Sequence, residues 1–387
     1  MIPKLRFNNF GDEWEEYILQ SESDVRDGTH DSPKYVENGY PLITSKNLTD
    51  MGTLDFSNVS YLKQEDFDKI NQRSKVDIGD ILFGMIGTIG KPVRIDRDDF
   101  AIKNVALIKE NGLIKNDYLI HYLHTPSINK QFANNQDGGT QKFIALDKIR
   151  KLKIKMPTRE EQKKIVSLFD LLDKKIELQS KKIEDLKLFK MCTLDSFFNS
   201  NSNEPKNILS NYCTCLTGKS KVDQVDENGL YYIMDMGTVN SDGYILKNKP
   251  TFCNLDMLSY GDLIMPKDDI GGGLIIGKTG FIDEDNKYIL GDHVYLIKTK
   301  NINSLYLHYQ INSKYINKQL KRKVTGSAQL GLKAENILNQ EILVHSESNQ
   351  NRIANIFKLI DKKIKLENQK LENLAKTKKG LMQDMFV

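Results

Sequence analysis

Cysteine is scarce in this chain, four residues in 387, at positions 192, 213, 215 and 253. That is too few for a disulfide framework. Cys213 and Cys215 form a lone CxC that could join Cys253 and a histidine on zinc, but paired CxxC spacings are missing, and buried reduced thiols are the expectation. No apolar run approaches the ~18 to 20 residues a membrane helix needs. The opening, MIPKLRFNNFGDEWEEY, has no apolar stretch after its basic residues, unlike a secretory signal, so a cytoplasmic protein is expected. An excess of one charge is missing too: 56 basic and 52 acidic residues leave a net +4. Any binding of phosphate would therefore rest on a local patch rather than on the whole molecule.

Catalytic signatures are equally thin. There is no [DN]PP[YF], FGMIGTIG (83–90) lacks FxGxG spacing, no PD…(D/E)xK set stands out, and the six histidines lack HExxH or a triad context. Residues 272–279, GGLIIGKT, do match GxxxxGK[ST]. In a true phosphate loop a helix starts at the lysine, and its free amides cradle the phosphates. Here Gly280 and a β-like FID follow, and Leu274, Ile275 and Ile276 want burial. The first half repeats this context as GTIGKPVRI (87–95), with Pro92 after Lys91. A strand–turn–strand with a basic residue at the turn is expected, and a P-loop-like ATPase stands as an alternative.

What the chain does contain is a repeat. Residues 160–198 and 348–386 align over 39 positions without a gap, 14 of them identical, at an offset of 188. Asp173-Lys174-Lys175-Ile176 falls on Asp361-Lys362-Lys363-Ile364, and Phe169 and Phe198 fall on Phe357 and Phe386. Upstream, INKQ at 128–131 falls on INKQ at 316–319, Gly138 and Gln141 on Gly326 and Gln329, and Tyr118-Leu119 on Tyr306-Leu307. GDILF (79–83) answers GDLIM (261–265), now at an offset of 182. The chain is thus two copies of one plan, a variable globular part followed by a long helix, with parts at 1–155, 156–199, 200–344 and 345–387.

Both helices are free of proline and carry apolar residues at steps of three and four. One stripe runs Leu168, Leu172, Ile176, Gln179, Ile183, Leu186, Lys190, Leu194, Phe197. The other runs Ile356, Ile360, Ile364, Glu367, Leu371, Leu374, Lys378, Met382, Met385. A period near 3.5 is a coiled-coil seam, and polar interruptions at matching places act as register devices. Each helix spans about 58 Å at 1.5 Å per residue. Packed antiparallel, the two would hold the globular units at opposite ends, as a ruler. A coiled-coil scaffold with no nucleic-acid role is the bland alternative.

The globular parts are rich in short β signals, among them YPLITSKNL (40–48), DILFGMIGTIG (80–90), AIKNVALIK (101–109), LYYIMDMGTV (230–239) and HVYLIKT (293–299), with shorter helices at 116–134 and 303–323. Each reads as an α+β domain with a largely antiparallel sheet or partial barrel. Base edges are read by paired donors and acceptors, and phosphates are held by Lys, Arg, hydroxyls and amides. Three loops per unit carry such residues. In the first they are Thr44-Ser45-Lys46-Asn47, Thr88 with Lys91, and Thr140-Gln141-Lys142. In the second they are Asp235 to Thr238, Lys267 with Lys278, and Ser327 with Gln329 and Lys333, preceded by the basic run Lys321-Arg322-Lys323.

The opening PKLRFNNFGDEWEE (3–16), then YPLITSKNL, GDILFGMIGTIGK, GGTQKFIALDKIRKLKIKMP and PTREEQKKI, resemble in order the motifs of type I restriction-modification specificity (S) subunits. The resemblance covers essentially the whole chain. It implies two target-recognition domains separated by two long helices packed as an antiparallel coiled coil. Each domain would read one half of a split, asymmetric DNA target, with the helices setting the spacer. It implies two methyltransferase (M) subunits that use S-adenosylmethionine and two restriction (R) subunits that use ATP and Mg, those cofactors lying on the partners and not on this non-catalytic chain. One departure stands out: Pro157 and Glu161 of the first PxxxEQ stretch become His345 and Asn349 in the second, leaving only Gln350.

Overall fold

A computed structural model describes residues 2–49, 52–87, 90–133, 143–199, 205–326 and 329–386. Two helices of 39 residues, Arg159–Phe197 and Glu347–Met385, dominate it. Compact units do not follow the sequence boundaries. One comprises Met1–Gln179 with Lys370–Val387, the other Ser180–Gln369, so each unit takes one head and half of both long helices.

The first head carries a four-stranded antiparallel sheet in the order Ser23–Asp27, Val105–Glu110, Ile81–Gly84, Gly90–Arg94. The second carries the same order in Cys213–Thr217, Val294–Thr299, Leu263–Pro266, Gly280–Phe281. In each, one central strand is fully buried along its length, Ile81–Gly84 and Leu263–Pro266. A second sheet in each head contains one parallel pair, Tyr40–Ile43 with Ala101–Ile102 and Tyr231–Met234 with Tyr288–Leu290. The head's first strand pairs with its last, Glu15–Ile18 with Lys153–Met156 and Lys206–Ile208 with Glu341–Leu343, closing the head just before the helix leaves it. Three short helices lie between sheet and closing strand in each head, and the first two are separate because Thr125 and Ser313 accept an amide hydrogen bond from Ile128 and Ile316 and start the second.

Within the first unit, Phe386 from the end of the second long helix sits among Trp14, Tyr118, Tyr122 and Phe169 at ring distances of 5.5 to 6.2 Å. Within the second, Phe198 at the end of the first long helix sits on Tyr306 at 5.4 Å. Positions 198 and 386 are repeat equivalents, as are 118 and 306, so the same aromatic plug closes both units. Helix direction follows from the ladder of contacts. In the first unit Asp173 ion-pairs with Lys378 while Phe169 meets Phe386. In the second, Lys182 pairs with Glu367 at 2.9 Å, Lys190 with Asp361 at 2.6 Å, and Phe197 meets Phe357. One index rises as the other falls, so the helices pack antiparallel in both units. The stripe residues Leu168, Leu172, Ile176, Ile183, Leu186, Ile356, Ile360, Ile364, Leu371 and Leu374 are all buried or half-buried. Lys190 and Lys378, which interrupt the stripe, each face the aspartate of the DKKI run on the other helix. A polar seam residue is tolerated because its charge is met there.

Candidate nucleic-acid interface

Hydrogen bonds at the helix starts are also repeated. The Tyr118 hydroxyl donates to the Lys155 carbonyl and Tyr306 to that of Leu343, both at 2.9 Å. Gln162 donates to the Pro157 carbonyl at 3.1 Å, and Gln350 to His345 at 2.8 Å. The glutamine common to the two repeats therefore makes the same contact in both units. The departures are absorbed by local partners. Glu161, buried, receives both Nε and Nη2 of Arg6 at 2.8 and 2.7 Å, whereas His345 Nδ1 lies in hydrogen-bond contact with the Tyr306 hydroxyl oxygen at 2.7 Å.

Against the expectation of a polar loop offered to DNA, most of 44–47 turns inward. Asn47 accepts from the Thr44 amide and hydroxyl at 3.0 and 2.9 Å and donates to the Asp55 carbonyl, while Ser45 donates to the Asn104 carbonyl. Ser45 and Asn47 are buried, and Lys46 alone of the four is exposed. The second head builds the same turn from different residues. Thr238 accepts from the Asp235 amide at 2.9 Å and donates to its carbonyl, and Asp235 holds Lys249 at 2.8 Å. Both are buried, so these side chains stabilise a turn rather than face a ligand. Lys91 is half-buried, with a left-handed φ of 50°. Thr88, Thr140, Gln141, Lys142 and Ser327 lie outside the described residues.

Lysines of the second head divide into two sets. Lys267 donates to the Asp292 carbonyl at 2.5 Å and lies over the Tyr295 ring. Lys278 donates to the Asn312 carbonyl at 3.1 Å, and burial, with neighbouring Lys321, pushes its pKa down to about 8. Lys323 turns back onto Asn336 and Gln340. Lys321, Arg322, Gln329 and Lys333 are exposed. They lie where the helix Lys314–Lys321 ends and its arm returns as Leu330–Gly331, which pairs with Asp268–Asp269. A patch of this kind holds phosphates while leaving base reading to adjacent loops.

The 272–279 segment is not a phosphate cradle. The buried Asp269 carboxylate already occupies its amides, accepting from Gly271, Ile275 and Ile276 at 2.6, 2.8 and 3.3 Å. A strand, Gly280–Phe281, follows the lysine where a phosphate loop needs a helix. Among the described residues, Asp235, Asp292 and His293 bring ligand atoms within 4.8 Å of one another, but Asp235 is held by Lys249 and His293 faces Asp268 at 3.1 Å. Burial lifts the Cys213 thiol to about 12 and Cys215 to about 11, which holds both as thiols. No helix among the described residues is long and apolar enough to cross a membrane.

The sequence profile of the type I restriction modification DNA specificity domain matches this chain twice, over residues 14–188 and 213–376. The chain belongs to that family. Its S-subunit character is consistent across its length. It is similar to the type I restriction enzyme MjaVIII specificity subunit of Methanocaldococcus jannaschii, 24% identical over 90% of this chain and 85% of that one. A putative type I restriction enzyme specificity subunit of Haemophilus influenzae is 32% identical over 31% of each chain. In fold, the crystal structure of the S subunit from M. genitalium matches with a TM-score of 0.63 at 16% identity, covering 100% of this chain and 99% of that one. A chain from a study of type I R-M complex assembly and conformational transition matches with a TM-score of 0.60 at 13% identity, over 96% and 97%. The S subunit is thus a DNA-binding, target-recognising component of a type I restriction-modification complex.

Proposed function

We propose that this chain reads a split, asymmetric DNA target, one half-site per head, and that its long helices set the unread spacer. The observation that carries this reading is the duplication of the whole plan: the same sheet order, closing strand pair and aromatic plug recur in both units. A duplicated head suits a two-part target, and differing loop residues suit two different half-sites. Lys46 in the first head, and Lys321, Arg322, Gln329 and Lys333 in the second, are the exposed side chains assigned here to DNA.

The chain acts without catalysis of its own, directing two methyltransferase subunits that carry S-adenosylmethionine and two restriction subunits that use ATP and Mg. Exposed leucines support methyltransferase docking on the helices. Leu171 and Leu178 on the first helix recur as Leu359 and Leu366 on the second, one heptad apart in each case and off the buried seam. Two equivalent apolar patches fit two equivalent partners.

The test is genome-wide adenine methylation with the cognate methyltransferase, with and without this chain. A split motif that appears only with the chain supports the reading. Active methyltransferase and folded chain with no motif overturns it. Inserting equal numbers of helical turns into both helices should lengthen the spacer and leave both half-sites unchanged.

A further inference from the structure

The two heads share a frame but differ at one hairpin. In the first, Ile86 bridges Phe143, and the return strand pairs at Val93 with Leu82. In the second, Asp268 pairs with Gly331, and the return strand pairs at Gly280 with Ile264. From 86 to 93 is seven steps, and from 268 to 280 is twelve, so the second head carries five extra residues between equivalent anchors.

The longer loop is held rigidly. Asp269 clamps three of its amides, and Gly272 and Gly273 take left-handed φ values of 78° and 83°. A Cβ at Gly273 would lie 3.1 Å from Leu330, so loop and arm pack closely. While Ile276 is buried, the clamp leaves Ile270 67% and Leu274 63% exposed. Two large apolar side chains held in water on an ordered loop mark a contact surface. Its chemistry is narrow, because residues 270–274 read Ile-Gly-Gly-Gly-Leu and offer no polar side chain. Positive charge stands beside it: the arm Leu330–Gly331, paired with Asp268–Asp269, also bridges Thr325, three residues beyond the exposed Arg322.

An apolar tip flanked by cations fits a DNA groove, with phosphates at the rim. The apolar feature of the major groove is the C5-methyl group of thymine. We propose that Ile270 and Leu274 read thymine methyl groups in the half-site of the second head, with Lys321 and Arg322 on flanking phosphates. This rests on the chain being the DNA-reading subunit, and it assigns specificity in one head to a loop five residues longer than its counterpart in the other.

The test uses the assembled methyltransferase complex and cognate duplexes in which each thymine is replaced, one at a time, by deoxyuridine, removing only the methyl. One or two positions in a single half-site should lose affinity about fourfold each. The Ile270→Ala/Leu274→Ala variant should show no loss at those positions and unchanged thermal denaturation, because both side chains are exposed. The proposal is overturned by a half-site without a methyl-sensitive thymine, by a variant that keeps the wild-type sensitivity, or by sensitive positions in the half-site that changes when residues 1–155 are exchanged. Sensitivity to 2,6-diaminopurine in place of the adenine opposite those thymines, which adds a minor-groove amino group and leaves the methyl in place, would put the loop in the wrong groove and also overturn it. With a methylated split motif in hand, any of these failures leaves the specificity-subunit reading standing. Absence of any split motif overturns both.

Discussion

Replacing Asp361 with alanine should cost the second unit about 3 kcal/mol, while the same change at its repeat equivalent, Asp173, should cost about 1 kcal/mol or less. The two aspartates sit in the same DKKI run and meet equivalent lysines, so the pair chemistry is constant. Their surroundings differ. Lys190 and Asp361 keep only 13% and 19% of their side-chain exposure, whereas Lys378 and Asp173 keep 22% and 44%. Asp361 also accepts from the hydroxyls of Tyr244 at 2.6 Å and Tyr309 at 2.7 Å, and Lys190 lies over both rings. Burial, with the Asp361 charge beside them, pushes both tyrosine pKa values upward and keeps both as donors. Breaking a buried pair costs about 3 to 5 kcal/mol, chiefly because the surviving charge is stranded. The partial exposure of Lys190 argues for the lower end. Two stranded hydroxyls add to the cost at Asp361 but have no counterpart at Asp173, where the extra partner is His121, 4.0 Å away. Double-mutant cycles should then give a coupling of about 2 kcal/mol for 190–361 and below about 1 kcal/mol for 173–378. Local opening free energies from native-state hydrogen exchange are the right readout, because a two-unit chain need not unfold in one step. Equal couplings, or a larger one at 173–378, would refute the argument that burial rather than pair chemistry sets the energy.

Acid should weaken the second unit. His308 is buried, and desolvation, with Lys190 next, depresses its pKa from 6.5 to about 3. The unfolded chain therefore takes up a proton that the folded one refuses, so stability falls as pH drops from about 6.5 towards 3, by up to about 1.4 kcal/mol per pH unit. Urea titrations at stepped pH should show this slope, and His308→Gln should reduce it. Lys321→Ala and Arg322→Ala should each flatten the log–log salt dependence of DNA binding by about one, whereas Lys278→Ala should leave it unchanged. Asp269→Ala should lower the second unit's stability by about 2 kcal/mol by freeing buried loop amides, as thermal denaturation would show. ATP with Mg should give the wild-type chain no thermal shift.

The duplication, the two long helices, their seam and the α+β character of the heads were determined by the sequence itself. A repeat and a heptad stripe are one-dimensional properties, and the pairing of Asp173 with Lys378 and of Lys190 with Asp361 was latent in the matching interruptions. The loops were another matter. Ser45, Asn47, Asp235 and Thr238 have the composition of ligand-binding loops, because a side chain that caps a turn and one that binds a base are drawn from the same donors and acceptors. Only the fold decides which polar atoms face inward. The same holds for Lys267, Lys278 and Lys323, whose charges the tertiary structure spends on main-chain carbonyls far along the chain. It holds in reverse for Ile270 and Leu274. Leu274 was expected to be buried, but Asp269 ties up the loop amides and both side chains stand in water. Exposure is a property of three-dimensional neighbours, and for Ser45, Lys267 and Lys278 those neighbours lie 59, 25 and 34 residues away along the chain.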